Sequence, residues 1–212
     1  MSIAVDRYEL GPLQTNCYVV RQERGAAEAV VVDPGGDITQ LRLELARMGA
    51  KVKAILLTHG HWDHVLGVVD LVGASGAPVY LSEAELPELD SEGPEQMGFA
   101  PPNAFSPDHL LAGGETLELA GLKIEVVSAP GHRPGHVAFV IDGGLFSGDV
   151  LFHGSVGRAD LPGGDWPTLL TTLEMLARRF PPETVVYPGH GPETTLGAEL
   201  RTNPFLAELR AE

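Results

Sequence analysis

Apolar residues in this chain come in short runs broken by Gly, Pro and Asp, the pattern of strands joined by turns with a few helices between them. Residues 17–21 and 29–33 are β-branched runs on either side of Glu23-Arg24-Gly25, which predicts a hairpin. Asp33-Pro34-Gly35-Gly36 then breaks the chain. Asp37 is placed to cap a helix, and Ile38, Leu41, Leu45 and Met48 follow at helical spacing until Gly49 stops it. Residues 52–57 form another apolar strand, which runs directly into Thr58-His59-Gly60-His61-Trp62-Asp63-His64. A β-α-β unit thus ends at a histidine cluster, on the loop at the strand's C-terminal end.

The second half repeats the alternation. A short helix over 64–72 and a strand over 78–81 precede an acidic stretch, residues 83–95, with Glu83, Glu85, Glu88, Asp90, Glu92 and Glu95 and no basic residue; it reads as a solvated loop or lid and runs into Pro-rich sequence up to Pro107. Ala120-Gly121 and Asp142-Gly143-Gly144 each separate two strand-like runs, 116–119 from 122–127 and 137–141 from 145–147, and so predict two more hairpins. Trp166, Leu169, Leu170, Leu173, Leu176 and Phe180 mark one long amphipathic helix, closed by Pro181-Pro182 before a strand over 184–187. No linker or strong internal repeat interrupts the chain. The expected architecture is a single α/β domain over residues 1–212, with two mixed β-sheets packed together and helices outside.

Composition narrows the functional classes. The 212 residues are 43% hydrophobic and 20% charged, enough apolar surface for a substantial core, and the longest apolar runs are of strand length rather than membrane-spanning length. Net charge is −15. All fourteen basic residues lie before Ala54 or after Leu122, and eleven acidic residues occupy the gap, a surface expected to repel nucleic acid and anionic lipid. Cys17 is the single cysteine, which excludes an intrachain disulfide, fits a reducing compartment and reads as a small buried hydrophobe. Asp6, Arg7 and Glu9 stand where a signal peptide needs an apolar stretch, so a cytoplasmic location is expected.

The chemistry is concentrated in the histidines. In an extended segment residues two apart point the same way, so His59 and His61 can grip one ion while a tight turn directs Asp63 and His64 elsewhere. Pro130-Gly131-His132, Ser147-Gly148-Asp149 and Pro188-Gly189-His190-Gly191 each follow a predicted strand and place one further ligand on a Gly-containing turn. Two ions sharing one carboxylate and one water need about three terminal ligands each. His59, His61 and His132 supply one set, Asp63, His64 and His190 the other, and Asp149 remains as the bridge. The all-nitrogen-and-oxygen donor set suits Zn²⁺, Fe or Mn²⁺ without selecting among them; two divalent ions per chain are expected, Zn²⁺ foremost, with Fe or Mn²⁺ as alternatives. Arg133, His136, His153 and Arg158 are candidates for substrate contact; Arg158 can instead pair with Asp160 or Asp165.

These motifs resemble the metallo-β-lactamase superfamily, whose signature is His-x-His-x-Asp-His, and within it the glyoxalase II (hydroxyacylglutathione hydrolase) group. The likeness runs from Gln14-Thr15-Asn16-Cys17-Tyr18 through Val32-Asp33-Pro34-Gly35, residues 58–64, 130–136 and 147–152 and Gly157-Arg158-Ala159-Asp160 to Pro188-Gly189-His190-Gly191-Pro192. Residues 154–165 and Asn203-Pro204-Phe205-Leu206 look most like the short bacterial type, which lacks the C-terminal helical domain that anchors glutathione in longer members. The resemblance implies a four-layer αββα sandwich with the ions at one edge of the sheets. It also implies a metal-dependent thioesterase that cleaves S-(2-hydroxyacyl)glutathione-type thioesters through a hydroxide shared by the two ions, with Asp63 orienting that hydroxide. The alternative within the superfamily is a persulfide dioxygenase with one iron on His59, His132 and Asp149; lactonase or phosphodiesterase chemistry is compatible with the same ligands. A non-enzymatic metal-binding protein is disfavoured, because every ligand position is filled.

Overall fold

The computed structural model describes residues 3–89 and 104–207. Its first sheet begins with β1 (Ala4–Leu10), β2 (Thr15–Arg21) and β3 (Glu28–Val32), each antiparallel to the next. Helix α1 (Thr39–Met48) then returns the chain so that β4 (Lys51–Leu56) lies parallel to β3. After the short helices α2 (Trp62–Val65) and α3 (Val68–Ser75), β5 (Val79–Ser82) and β6 (His109–Leu111) extend the sheet in parallel.

The second sheet starts as an antiparallel meander of β7 (Thr116–Leu119), β8 (Leu122–Ser128), β9 (Val137–Ile141) and β10 (Gly144–Gly148). A small two-stranded ribbon, β11 (Leu151–Phe152) with β12 (Ser155–Val156), leads to α4 (Trp166–Arg179). Next, β13 (Val185–Pro188) pairs parallel to β10, β14 (Thr194–Thr195) closes the edge, and α5 (Leu196–Thr202) follows. Among the described residues each large sheet has six strands, in the orders β1-β2-β3-β4-β5-β6 and β14-β13-β10-β9-β8-β7.

Strand alternation assigns the layers. On β2, Cys17 and Val19 point to one face and Tyr18 and Val20 to the other, and all seven residues of the strand are buried because both faces are covered. Leu41 and Leu45 of α1 and Val68 and Leu71 of α3 pack on the outward set, with Val31 and Ile55. Tyr18, Val20, Val30, Val32 and Leu56 meet Ile124, Val126, Phe139, Ile141 and Phe146 of the second sheet in the middle layer. Leu169, Leu173 and Leu176 of α4, with Leu196 of α5, cover Ala138, Leu145 and Val186 on the far side. Each such buried aliphatic side chain contributes about 1.5–3 kcal/mol of transfer free energy. The result is the expected αββα sandwich of two mixed sheets.

Both predicted hairpin turns have left-handed backbone at two successive positions, φ 53° and 73° at Ala120 and Gly121 and φ 48° and 80° at Asp142 and Gly143, the twist that suits a tight hairpin; Gly144, expected in the second turn, already belongs to β10. The helix expected over 64–72 is instead two helices. A Cβ at Gly67 would lie 2.4 Å from the carbonyl oxygen of Gly36, so the chain interrupts its helix to pack against that turn. Asp37 caps less directly than expected: Ile38 is the N-cap, and Asp37, one position ahead of it, accepts from the Thr39 N–H through Oδ1 at 2.8 Å. Strands β1 and β6, the ribbon strands, β14 and helix α5 were not anticipated. Of the acidic stretch, Glu83–Glu88 forms a 3₁₀ turn, and residues 90–95 lie outside the described residues. Among the described residues no helix is long and apolar enough to cross a membrane.

Strands β8 and β10 flank the antiparallel β9, and β13 is parallel to β10, so all three run the same way and end at one edge of their sheet. The loop after β4 meets them there: the Val137 N–H donates to Thr58 O at 2.9 Å, the Gly189 N–H to Gly148 O at 2.8 Å and the Asn16 N–H to Gly189 O at 2.8 Å.

Candidate metal centre

The four strand-end loops bring seven ligand-type side chains together. His59, His61 and His132 form one group, Asp63, His64 and His190 a second, and Asp149 belongs with His59 and His64 in a third that overlaps both. Close approach is built into the sequence. A Cβ at Gly189 would lie 2.1 Å from Asp149 Oδ1, so only glycine lets the loop carrying His190 close over that carboxylate.

Hydrogen bonds fix which nitrogen of each imidazole is free. His132 Nδ1 lies 2.7 Å from Arg158 O, and a carbonyl only accepts, so Nδ1 carries the proton and Nε2 a lone pair. Thr58 Oγ1 donates to Asp33 Oδ2 at 2.7 Å, which uses its single proton, so at 3.0 Å from His59 Nδ1 it must accept and His59 Nε2 is also a lone pair. Both lone pairs converge on His61 Nδ1, at 3.0 and 2.9 Å. Three nitrogens therefore share at most one proton, an arrangement that one cation with bonds of about 2.0–2.1 Å satisfies far better than a hydrogen bond does.

The second group is organised by carboxylates. His64 Nδ1 donates to Asp33 Oδ2 at 2.9 Å, which aims its Nε2 at Asp149 Oδ1, 3.3 Å away, and Asp63 Oδ2, 3.6 Å away. His190 Nε2 is 3.3 Å from Asp63 Oδ2 and 3.5 Å from Asp149 Oδ2, and the latter is also 3.6 Å from His132 Nε2. Asp149 thus faces nitrogens of both groups. His64 Nε2 and Asp149 Oδ1 are buried without a hydrogen-bond partner, and this donor set fits divalent ions.

Electrostatics separates the groups. Burial, with the neighbouring imidazoles, holds His59 well below its ordinary value and brings His61 down to about 3, so both are neutral at pH 7. Burial also works against charge on His64, but Asp149, Asp63 and Asp33 outweigh it and push its pKa well up. Against the same burial, hydrogen bonds to Asp149 and Asp63 raise His190 to about 9. Burial disfavours the ionised forms of Asp63 and Asp149 too, yet His64 and His190 keep both carboxyls below the usual carboxylate range.

The four residues considered for substrate contact lie in quite different settings. The His136 ring is buried, stacks on His59 with centroids 4.9 Å apart, and accepts at Nε2 from the Asp149 N–H at 3.1 Å. Arg133 is buried as well, with Nη1 donating to Pro162 O and Nε 3.8 Å from Glu85 Oε2. Arg158 is exposed and makes a two-pronged pair with Asp160, 2.9 Å on each prong, while its carbonyl orients His132. His153 is exposed.

Several contributors had no role assigned from sequence. Thr15 Oγ1 donates to Asp63 Oδ2 at 2.9 Å, and Asp33 supports both His64 and Thr58. Glu85, expected in a solvated acidic loop, is fully buried and accepts from the N–H groups of Gly60 and Gly135. Thr15 and Asp33 stood inside recognisable motifs, a signal that could have found them; nothing in the sequence around Glu85 sets it apart from its acidic neighbours.

An αββα sandwich with two His/Asp ligand groups at one sheet edge defines a class of metal-binding hydrolytic fold. Residues 10–190 match the metallo-β-lactamase superfamily, and the chain belongs to it. It is 37% identical to the hydroxyacylglutathione hydrolase GloC of Haemophilus influenzae, over 91% of this chain and 93% of that one. Among solved structures it is similar to TTHA1623 in a di-iron-bound form (46% identity, TM-score 0.86, 95% of this chain and 100% of that one). It is also similar to the BLEG-1 B3 metallo-β-lactamase (40% identity, TM-score 0.89, 96% and 100%).

Proposed function

We propose that the chain is a binuclear metallohydrolase acting on small thioesters of the S-(2-hydroxyacyl)glutathione type. The observation that carries this reading is the position of Asp149, whose Oδ1 lies 3.3 Å from His64 Nε2 and whose Oδ2 lies 3.5 and 3.6 Å from His190 and His132 Nε2, so that one carboxylate meets both ligand groups as holding two adjacent ions would require. His59, His61 and His132 would hold one ion, Asp63, His64 and His190 the other. Zn²⁺ suits these ligands, and the di-iron relative keeps iron in view. Two such ions held there would supply a water with its pKa lowered toward about 7 and a Lewis acid for an acyl carbonyl.

The chain's own groups do the rest. Asp33 and the Arg158 carbonyl lock the imidazole tautomers of His64 and His132. Thr15 holds one oxygen of Asp63, leaving the other to accept a proton or orient the nucleophile. A thioester fits because its thiolate leaves without a protonated acid: burial holds His59, His61 and His136 neutral at pH 7, and His64 and His190, whose neighbouring carboxylates favour their protons, would give those protons up on becoming ligands. The likeness to GloC supports the hydroxyacylglutathione assignment, and the acidic surface supports a small-molecule substrate rather than nucleic acid.

The test is a metal count on protein from its native host together with turnover of S-lactoylglutathione. Two ions per chain and rapid thioester hydrolysis are expected. One iron per chain with oxygen consumption on glutathione persulfide, or turnover of β-lactams in preference to thioesters, overturns the assignment.

A further inference from the structure

Outside the ligand groups, one buried ionisable side chain touches both loops that carry the three-histidine group. Glu85 lies on the 3₁₀ turn Glu83–Glu88 after β5, distant in sequence from either loop, and is fully buried. Its two oxygens divide their work. Oε2 accepts from the N–H of Gly60, which lies between His59 and His61, at 2.8 Å. Oε1 accepts from the N–H of Gly135, three residues after His132, also at 2.8 Å. The Arg133 guanidinium stands 3.8 Å from Oε2 and ties the same cluster to Pro162, in the segment whose Arg158 carbonyl orients His132.

A buried carboxylate is costly unless every oxygen is hydrogen-bonded, and bonds from backbone N–H groups to a charged acceptor are among the stronger ones. A plain solvated acidic loop needs no such burial. One carboxylate gripping two loops fixes their separation, and that separation sets the spacing of His59, His61 and His132. Metal–ligand distances tolerate only about 0.2 Å of error.

We propose that Glu85 is a positioning residue for the His59–His61–His132 ion site, a carboxylate strut that holds two ligand loops at the spacing one ion needs. This role rests on those histidines being ligands, as proposed above. Glu85→Gln is the informative change: an amide keeps one acceptor but turns an NH₂ donor toward the other glycine N–H, so one loop is released and the side-chain volume is retained.

The experiment is zinc titration of the full chain against a competing chelator, in two backgrounds. His190→Ala isolates the three-histidine site, and His61→Ala isolates the other. Glu85→Gln is expected to weaken zinc about 10- to 100-fold in the first background, the usual cost of losing an outer support, and to change the second by less than about threefold. The cobalt-substituted His190→Ala protein should show a matching shift in its visible absorption bands when Glu85 is replaced. Equal weakening in both backgrounds, or unchanged affinity and spectrum in the first, overturns the proposal. If Glu85→Gln does not fold, Glu85→Asp is read by the same criteria. Wild-type protein that takes up no zinc overturns the metal reading itself and the Glu85 role with it, whereas intact two-ion loading with an indifferent Glu85→Gln overturns only the latter.

Discussion

His64 Nδ1 donates to Asp33 Oδ2 across 2.9 Å with both side chains buried, so an aspartate at the end of a strand decides which nitrogen of a ligand-type histidine faces the site. Asp33 also accepts from the Thr58 N–H and hydroxyl at 2.8 and 2.7 Å, and through Thr58 it sets the tautomer of His59. One carboxylate thereby reaches both ligand groups without belonging to either.

Replacing Asp33 by Asn should therefore affect both sites. The amide has one acceptor oxygen where three donors converge on two, and in either orientation its NH₂ would confront at least one of them. Zinc affinity should fall about 10- to 100-fold. Chelator competition reads the loss, and wild-type affinity in a folded Asp33→Asn protein would contradict the coupling.

Ion uptake should release protons from the second group. A ligating imidazole must be neutral, and His190 holds its proton up to about pH 9 through Asp149 and Asp63, with His64 raised by the same carboxylates. Below about pH 9 zinc must displace the His190 proton, so apparent affinity rises with pH across that range. Calorimetric zinc titration of His61→Ala protein in buffers of different ionisation enthalpy counts the protons; pH-independent affinity between 6 and 9 would be inconsistent with this electrostatic arrangement.

Gly189→Ala should cost metal binding out of proportion to its size. The new methyl would sit 2.1 Å from Asp149 Oδ1 and 2.8 Å from His64 Cε1, so the loop carrying His190 or the Asp149 carboxylate must move. Metal analysis should find less than the wild-type complement, and thioester turnover should drop by at least about 100-fold. Full loading with unchanged turnover would show that the loop can relax.

Cys17 lies in the outer cluster of the first sheet, fully buried, and burial pushes its thiol pKa well up. It should resist thiol reagents until the protein unfolds. Cys17→Ser should destabilise by about 1–3 kcal/mol by placing a hydroxyl among apolar side chains, lowering Tm but not kcat. Rapid labelling of the native protein would contradict the burial.

The gathering of ligand-type side chains and the packing of two sheets with helices outside were legible in the sequence because both rest on short-range rules. Strand alternation gives Tyr18 and Val20 one face and Cys17 and Val19 the other, two-residue turns at Ala120-Gly121 and Asp142-Gly143 demand left-handed backbone, and histidines at strand ends collect at one sheet edge. Family motifs added the four-layer sandwich and the expectation that the ligands meet at one edge of the sheets. The split between α2 and α3 was not legible, since it comes from Gly67 meeting Gly36, a contact between segments.

What residue types and spacing determine by themselves is which side chains are able to bind a metal and which strands deliver them. Their protonation and orientation were decided only in three dimensions. The Arg158 carbonyl that fixes His132 is 26 residues away, the Asp33 carboxylate that fixes His64 is 31 residues away, and Glu85 meets Gly60 and Gly135 across 25 and 50. Local patterning is nearly blind to such partners, because a backbone carbonyl looks the same at every position and a buried glutamate looks like an exposed one. It takes the folded chain, by excluding water from Glu85 and pairing both its oxygens, to turn one acid of a charged run into part of a site.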